Sequence, residues 1–188
     1  VPLLQRFGKL PLPRRPQYGF VAERPLPSSG RALRMGAVGV FLVHLAVGFA
    51  PRAVVELAAS PLRLLALETA ALTAGLLLMI GIAARARWAV RDARVRAVAT
   101  LPDAALLAAV TVCVACGLWT ALAHRWAVSW GAAAVAPYLA SLLRFSPDVE
   151  LAASLPLGAQ LHLISGWLAV GLLPFSSLGR RRLFRRSL

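Results

Sequence analysis

Four stretches of this chain are apolar for long enough to cross a bilayer, and no other feature constrains its fold as tightly. A hydrocarbon core about 30 Å thick needs about 20 helical residues. Met35 to Ala50 supplies 16, with His44 its single ionisable side chain, and the stem of Arg34 lengthens it by snorkelling. Leu64 to Ala84 supplies 21, interrupted by Glu68. Ala104 to Ala123 supplies 20, with no ionisable group besides Cys113 and Cys116. Leu151 to Gly179 runs for 29 residues without a formal charge and contains Pro156, His162 and Pro174. A span at about 158–178 is expected within it.

Charge and composition agree with a membrane chain. The net charge of +14, from 21 Lys+Arg against 7 Asp+Glu, would ordinarily suggest a nucleic-acid partner. A chain that is 59% hydrophobic with a mean hydropathy of +0.72 is too apolar for a soluble binder. It is likewise too apolar for intrinsic disorder. No nucleic-acid role is expected; the lipid bilayer is the expected partner. The first 34 residues hold seven basic side chains and six prolines, with no run able to span and no signal-peptide pattern, and read as an extended basic arm.

A fifth uncharged run, Trp126 to Leu143, is divided by Pro137, and basic residues decide whether it crosses. With four crossings, the arm, the loop 85–99 and the tail 180–188 share one face, which collects seventeen of the 21 basic residues. A fifth crossing would put the five tail arginines on the other side. The expected fold is therefore an all-α integral membrane protein, a bundle of four transmembrane helices. Both termini are expected in the cytoplasm, and the inner (plasma) membrane is the expected location. Residues 124–157 form an outer loop containing an interfacial helix marked by Trp126, Trp130 and Tyr138. The organisation expected is an arm (1–34), a four-span membrane domain (35–179) and a basic tail (180–188).

Ionisable side chains within spans point to function. His44 stands seven residues before Pro51, about 10 Å below the outer boundary, and His162 just inside the outer start of the last span. Antiparallel helices carry both imidazoles to the outer half of the bilayer, where they can face each other. Each is followed at i+4, on the same helix face, by glycine: Gly48 and Gly166. Two neutral imidazoles beside flat glycine surfaces suit axial ligation of a haem b. Residues alone leave a second reading open, in which the histidines are hydrogen-bonded core residues and the glycines serve helix packing. His124, beside Arg125 and Trp126, reads as interfacial. Cys113 and Cys116 have redox-motif spacing but lie mid-span, where an apolar setting leaves thiols inert, and read as packing.

The segments "FLVHLAVGFAP" around His44, "RVRAVATLPDA" (94–104), "PYLASLLRFSPDVELAASLPL" (137–157) and "QLHLISGWLAVGLLPFSSL" (160–178) resemble the gamma subunit of respiratory nitrate reductase. The likeness covers about residues 34–180. It implies a membrane cytochrome b that oxidises a quinol such as menaquinol and passes electrons to an iron–sulfur beta-like subunit and a molybdenum alpha-like subunit. That family holds two haems, and His44 and His162 fall on the ligands of the distal one. The proximal positions hold Arg34 and Arg180, and guanidinium offers iron no lone pair. One distal-type haem b is therefore expected, in a divergent member that also lacks the family's first span. The family's quinol site implies a role for Arg63, as a hydrogen-bond donor to a quinone oxygen or as an interfacial anchor. Glu68, one turn further in, either accepts a quinol proton or pairs with Arg63 or Arg52. The alternative for the whole chain is a haem-free membrane anchor subunit.

Overall fold

A computed structural model describes residues 27–124 and 126–177. Most of the arm, the tail with Arg180, and Arg125 lie outside the described residues. Every regular element described is helical. Helix α1 runs Pro27–Phe49 and α2 Pro51–Ala58; α3 runs Pro61–Arg91 and α4 Ala93–Val98; α5 runs Leu101–Ala123. A bent segment follows, made of α6 (Ala127–Trp130), a π-helical turn at Gly131–Val135 and α7 (Ala136–Leu143). Then come α8 (Val149–Ser154) and α9 (Leu157–Leu172), the latter closed by a 3₁₀ turn at Leu173–Phe175.

Four of these are long and apolar enough to cross a membrane: Ser28–Phe49, Pro61–Arg91, Leu101–Ala123 and Leu157–Phe175. Their ends are set largely by proline, which fits the first turn of a helix and disfavours helix in the residue before it. Pro51 and Pro61 open α2 and α3, Pro102 lies in the first turn of α5, and Pro174 brings the last span to its 3₁₀ finish. At the start of α5, the Thr100 side chain and the Asp103 carboxylate complete a capping box. The first span begins earlier than its apolar run. Residues 27–34, expected in the extended arm, form its opening turns and place Arg31 and Arg34 on α1.

The spans pack as two close pairs, α1 with α3 and α5 with α9, joined through α3 and α5. Small residues let the backbones approach, as they commonly do between helices in lipid. A Cβ at Gly36 would collide with the Leu78 backbone, and one at Gly81 would lie 2.6 Å from Leu33 Cα. Gly75 faces the other way, against Leu118 of α5. The two glycines of α3 thus serve different seams.

The fifth apolar run does not cross. Ala127–Leu143 is shorter than a span, and folds over one end of α1, α2 and α3. Val128 and Ala132 pack with Val54 of α2 and against Val43, Val47 and Leu67. Its π turn ends two residues before Pro137, and Ala136 N–H bonds Gly131 O, five residues back. A proline ring clashes with the carbonyl four residues before it, and the wider turn relieves that clash.

The ends of the bundle differ in charge. Arg31, Arg34, Arg85, Arg87, Arg91, Arg94 and Arg96 lie at one end, with Asp92 and Asp103. At the other, Arg52, Arg63 and Arg144 are matched by Glu56, Asp148 and Glu150.

Gly81→Leu is expected to push α1 off α3 and lower stability by about 1–3 kcal/mol, the usual cost of overpacking. Thermal melting of the detergent-purified protein checks this, with Gly30→Leu unchanged because a Cβ there meets nothing within 4 Å.

Candidate functional site

His44 of α1 and His162 of α9 come together in the half of the bundle covered by α6 and α7. Their Nε2 atoms are 3.4 Å apart, with ring centroids 5.7 Å apart and planes tilted by 37°. Each ring is held from behind. His44 Nδ1 lies 2.7 Å from Val40 O, one turn back on its own helix. His162 Nδ1 lies 2.8 Å from Cys113 O on α5. A carbonyl oxygen only accepts, so each Nδ1 carries a proton and donates it to the carbonyl behind. The two Nε2 atoms are left facing each other. Binding the far nitrogen of a ligating histidine to a carbonyl is also how protein metal sites fix tautomer and ring orientation.

The His162 ring depends on a residue the sequence reading missed. A Cβ at Gly117 would lie 2.9 Å from His162 Nδ1 and 3.0 Å from its Cε1. The ring can reach the Cys113 carbonyl because α5 offers bare backbone there. The Cys113 thiol sits against the same ring, with Sγ 3.5 Å from Nδ1. Nothing in the order of residues marks Gly117. Its importance arises from a helix forty-five positions away in sequence.

Both histidines line a cavity of about 520 Å³, together with Glu68, Val40, Leu72, Gly75, Leu118 and Trp130. That volume is in the range of small-molecule and cofactor sites, about 300–1,000 Å³. Trp126 also lines it, from a left-handed backbone conformation with φ 67° that turns the chain from α5 into α6. Glu68 has a partner that neither sequence reading considered. Val128 N donates to its Oε1 at 2.9 Å and Ser129 N donates to the same oxygen at 3.2 Å. A carboxylate on α3 therefore caps the start of α6, where unpaired N–H groups and the helix dipole both favour negative charge.

The other predicted site residues lie apart. Arg63 is exposed in the first turn of α3, away from the cavity wall. Gly48 and Gly166 do not line the cavity: a Cβ at Gly48 would meet nothing within 4 Å, and one at Gly166 would meet Cys113 Sγ at 3.6 Å. His124 stacks on Trp130 with centroids 5.8 Å apart. Gly117 lies against the His162 ring, and Gly75 lines the cavity beside Leu118.

Comparison with known families matches residues 19–179 to the nitrate reductase gamma subunit. The chain belongs to the nitrate reductase gamma subunit family. The match runs through His44, Glu68 and His162, and through the two motifs that meet at the basic end of the bundle. There Asp103, from the 94–104 segment, accepts from Thr100 Oγ1 at 2.8 Å and from Ser177 N at 2.7 Å, in the 160–178 segment. As a gamma-type subunit the protein is a membrane component that associates with other nitrate reductase subunits. No curated protein matches the chain.

Gly117→Ala is expected to displace His162 from the Cys113 carbonyl. Nitrogen NMR of labelled protein should then lose the signature of a single Nδ1–H tautomer, while Gly48→Ala leaves it intact. Glu68→Ala strands two N–H groups at the start of α6, at about 1–3 kcal/mol for an unsatisfied buried group. Amide exchange at Val128 and Ser129 should accelerate at least about tenfold, tenfold being about 1.4 kcal/mol.

Proposed function

We propose that this protein is the membrane cytochrome b subunit of a nitrate reductase-like oxidoreductase, binding one haem b between His44 and His162 and oxidising a quinol beside it. The observation that carries the reading is the pair of Nε2 atoms facing each other across 3.4 Å, each ring anchored through Nδ1 to a carbonyl. An imidazole nitrogen binds a metal at about 2 Å, so the two rings would have to part somewhat from their 3.4 Å separation to hold one ion together. Among the described residues no cluster of three His, Cys, Asp or Glu could hold a bare metal ion. Two opposed imidazoles by themselves suit a group that brings its own equatorial ligands, and the adjoining cavity is walled almost wholly by apolar side chains.

A haem b held there would supply one-electron acceptance and release. The chain's own residues do the rest. Val40 O and Cys113 O orient the rings by accepting from their Nδ1–H groups, and the cavity wall is largely apolar. Oxidation of a quinol to its quinone releases two electrons and two protons. Glu68 faces the cavity with carboxylate lone pairs beyond those taken by Val128 and Ser129, and accepts a proton there. Arg63, exposed in the first turn of α3 and apart from the cavity wall, offers guanidinium donors to the oxygen of a quinol approaching from the bilayer.

The basic end faces the cytoplasm by the positive-inside rule, which puts the histidines in the outer half of an inner (plasma) membrane and releases protons outward. The arm 1–34 and tail 180–188 then flank the membrane domain 35–179 on the cytoplasmic side, where iron–sulfur and molybdenum subunits accept the electrons. A quinol of the menaquinol type is the expected donor.

A reduced-minus-oxidised spectrum of the purified membrane complex tests this. It should show about one b-type haem per chain, lost in His44→Ala and in His162→Ala and kept in His124→Ala. A spectrum without haem would leave the protein a membrane anchor.

A further inference from the structure

The basic end contains a second feature, independent of the histidines. Helices α1 and α3 meet closely at Leu33 and Gly81. One turn beyond Gly81, on the same face of α3, stands Arg85. Its Nε is buried and has no hydrogen-bond partner. Arg34 follows Leu33, the residue that Gly81 touches, so a second like charge stands at the same end of the α1–α3 seam. Buried donors are rarely left unpaired, and an unneutralised like-charge pair adds to the cost.

Neither acid among the described residues of this end relieves it. Asp92 accepts from Arg94 N, at 2.8 Å. Asp103 is taken by Thr100 and Ser177. Arg96 is turned to the Val90 carbonyl. Among the described residues, therefore, no anion pairs with Arg85.

Position and shape indicate the source of a partner. Arg34 is the last charge before the apolar run of α1, and Arg85 the first after that of α3. Both therefore lie at the edge of the hydrocarbon core, at the depth of lipid phosphates. Beginning at Met35, next to Arg34, a groove of about 550 Å³ follows α3 through Leu77, Thr73, Ala70 and Ala66 to Leu62. The fifteen steps from Leu62 to Leu77 cover about 22 Å of helix, enough to seat an acyl chain. Its wall is apolar but for threonines, and Met35 and Leu62 are exposed.

We propose that Arg34 and Arg85 bind the phosphate of an anionic phospholipid whose acyl chain lies in the α1–α3 groove. Guanidinium forks match phosphate oxygens and form charge-assisted bonds to them, and a single lipid neutralises both side chains.

Delipidated full-length protein in detergent, titrated with phosphatidylglycerol, provides the test. Wild type should gain thermal stability and retain a lipid adduct in native mass spectrometry. Arg34→Gln/Arg85→Gln should weaken apparent affinity by about tenfold or more, about 1.4 kcal/mol. Arg87→Gln, an exposed arginine of the same helix, should bind as wild type. Arg85→Lys keeps the charge without the fork and should fold normally with weaker binding. Equal stabilisation by phosphatidylcholine or by inorganic phosphate would overturn the assignment to an anionic lipid. Undiminished binding in the double variant, or an equal loss in Arg87→Gln, would overturn the site.

Discussion

Inside a bilayer core a polar group has no water to turn to, and the structure follows from where each one finds a partner. The backbone satisfies itself within helices. The imidazole N–H groups of His44 and His162 go to carbonyls, one on the same helix and one on a neighbour. The Glu68 carboxylate goes to the open start of α6, and Asp103 to Thr100 and the end of the last span. Each of these bonds fixes a position that hydrophobic attraction alone would leave free, since lipid and side chain are about equally apolar.

Their placement gives the bundle its internal logic. The pair α1–α3 contributes His44 and Glu68, and the pair α5–α9 contributes His162 with the Cys113 carbonyl behind it. The cavity lies between the pairs and is covered by the segment 126–143, which is fixed to the first pair by Glu68 and by packing on Val54 and Val47. The histidines therefore meet across a boundary between two units. The cover over them depends on a side chain from the cavity wall.

Much of this was legible in the residues. Length and hydropathy identify spans because a bilayer sets a minimum for both. Depth arithmetic, counting from Pro51 and from the start of the last span, brings His44 and His162 to one level, and the structure has them 3.4 Å apart. What escaped the sequence was whatever depends on the neighbour rather than on the helix itself. Spacing of i+4 puts Gly48 on the face of His44, but says nothing of which helix lies opposite; Gly117, on another span, is the glycine that admits an imidazole. The partner of Glu68 lies sixty residues away and is a backbone group, so no pairing of charges predicts it. The start of α1 at Pro27 escaped too, because arginines at the end of a transmembrane helix can reach water without ending it.

The two imidazoles are also held in unequal ways. His44 takes its orientation from Val40, one turn back on its own helix, so its setting travels with α1 as a rigid piece. His162 takes its orientation from Cys113 on a different span, across the bare backbone at Gly117. Sliding or rotation of α5 against α9 would turn the second ring and leave the first untouched. A shift of α1 thus carries His44 along with its orientation kept, whereas a shift between α5 and α9 re-aims His162.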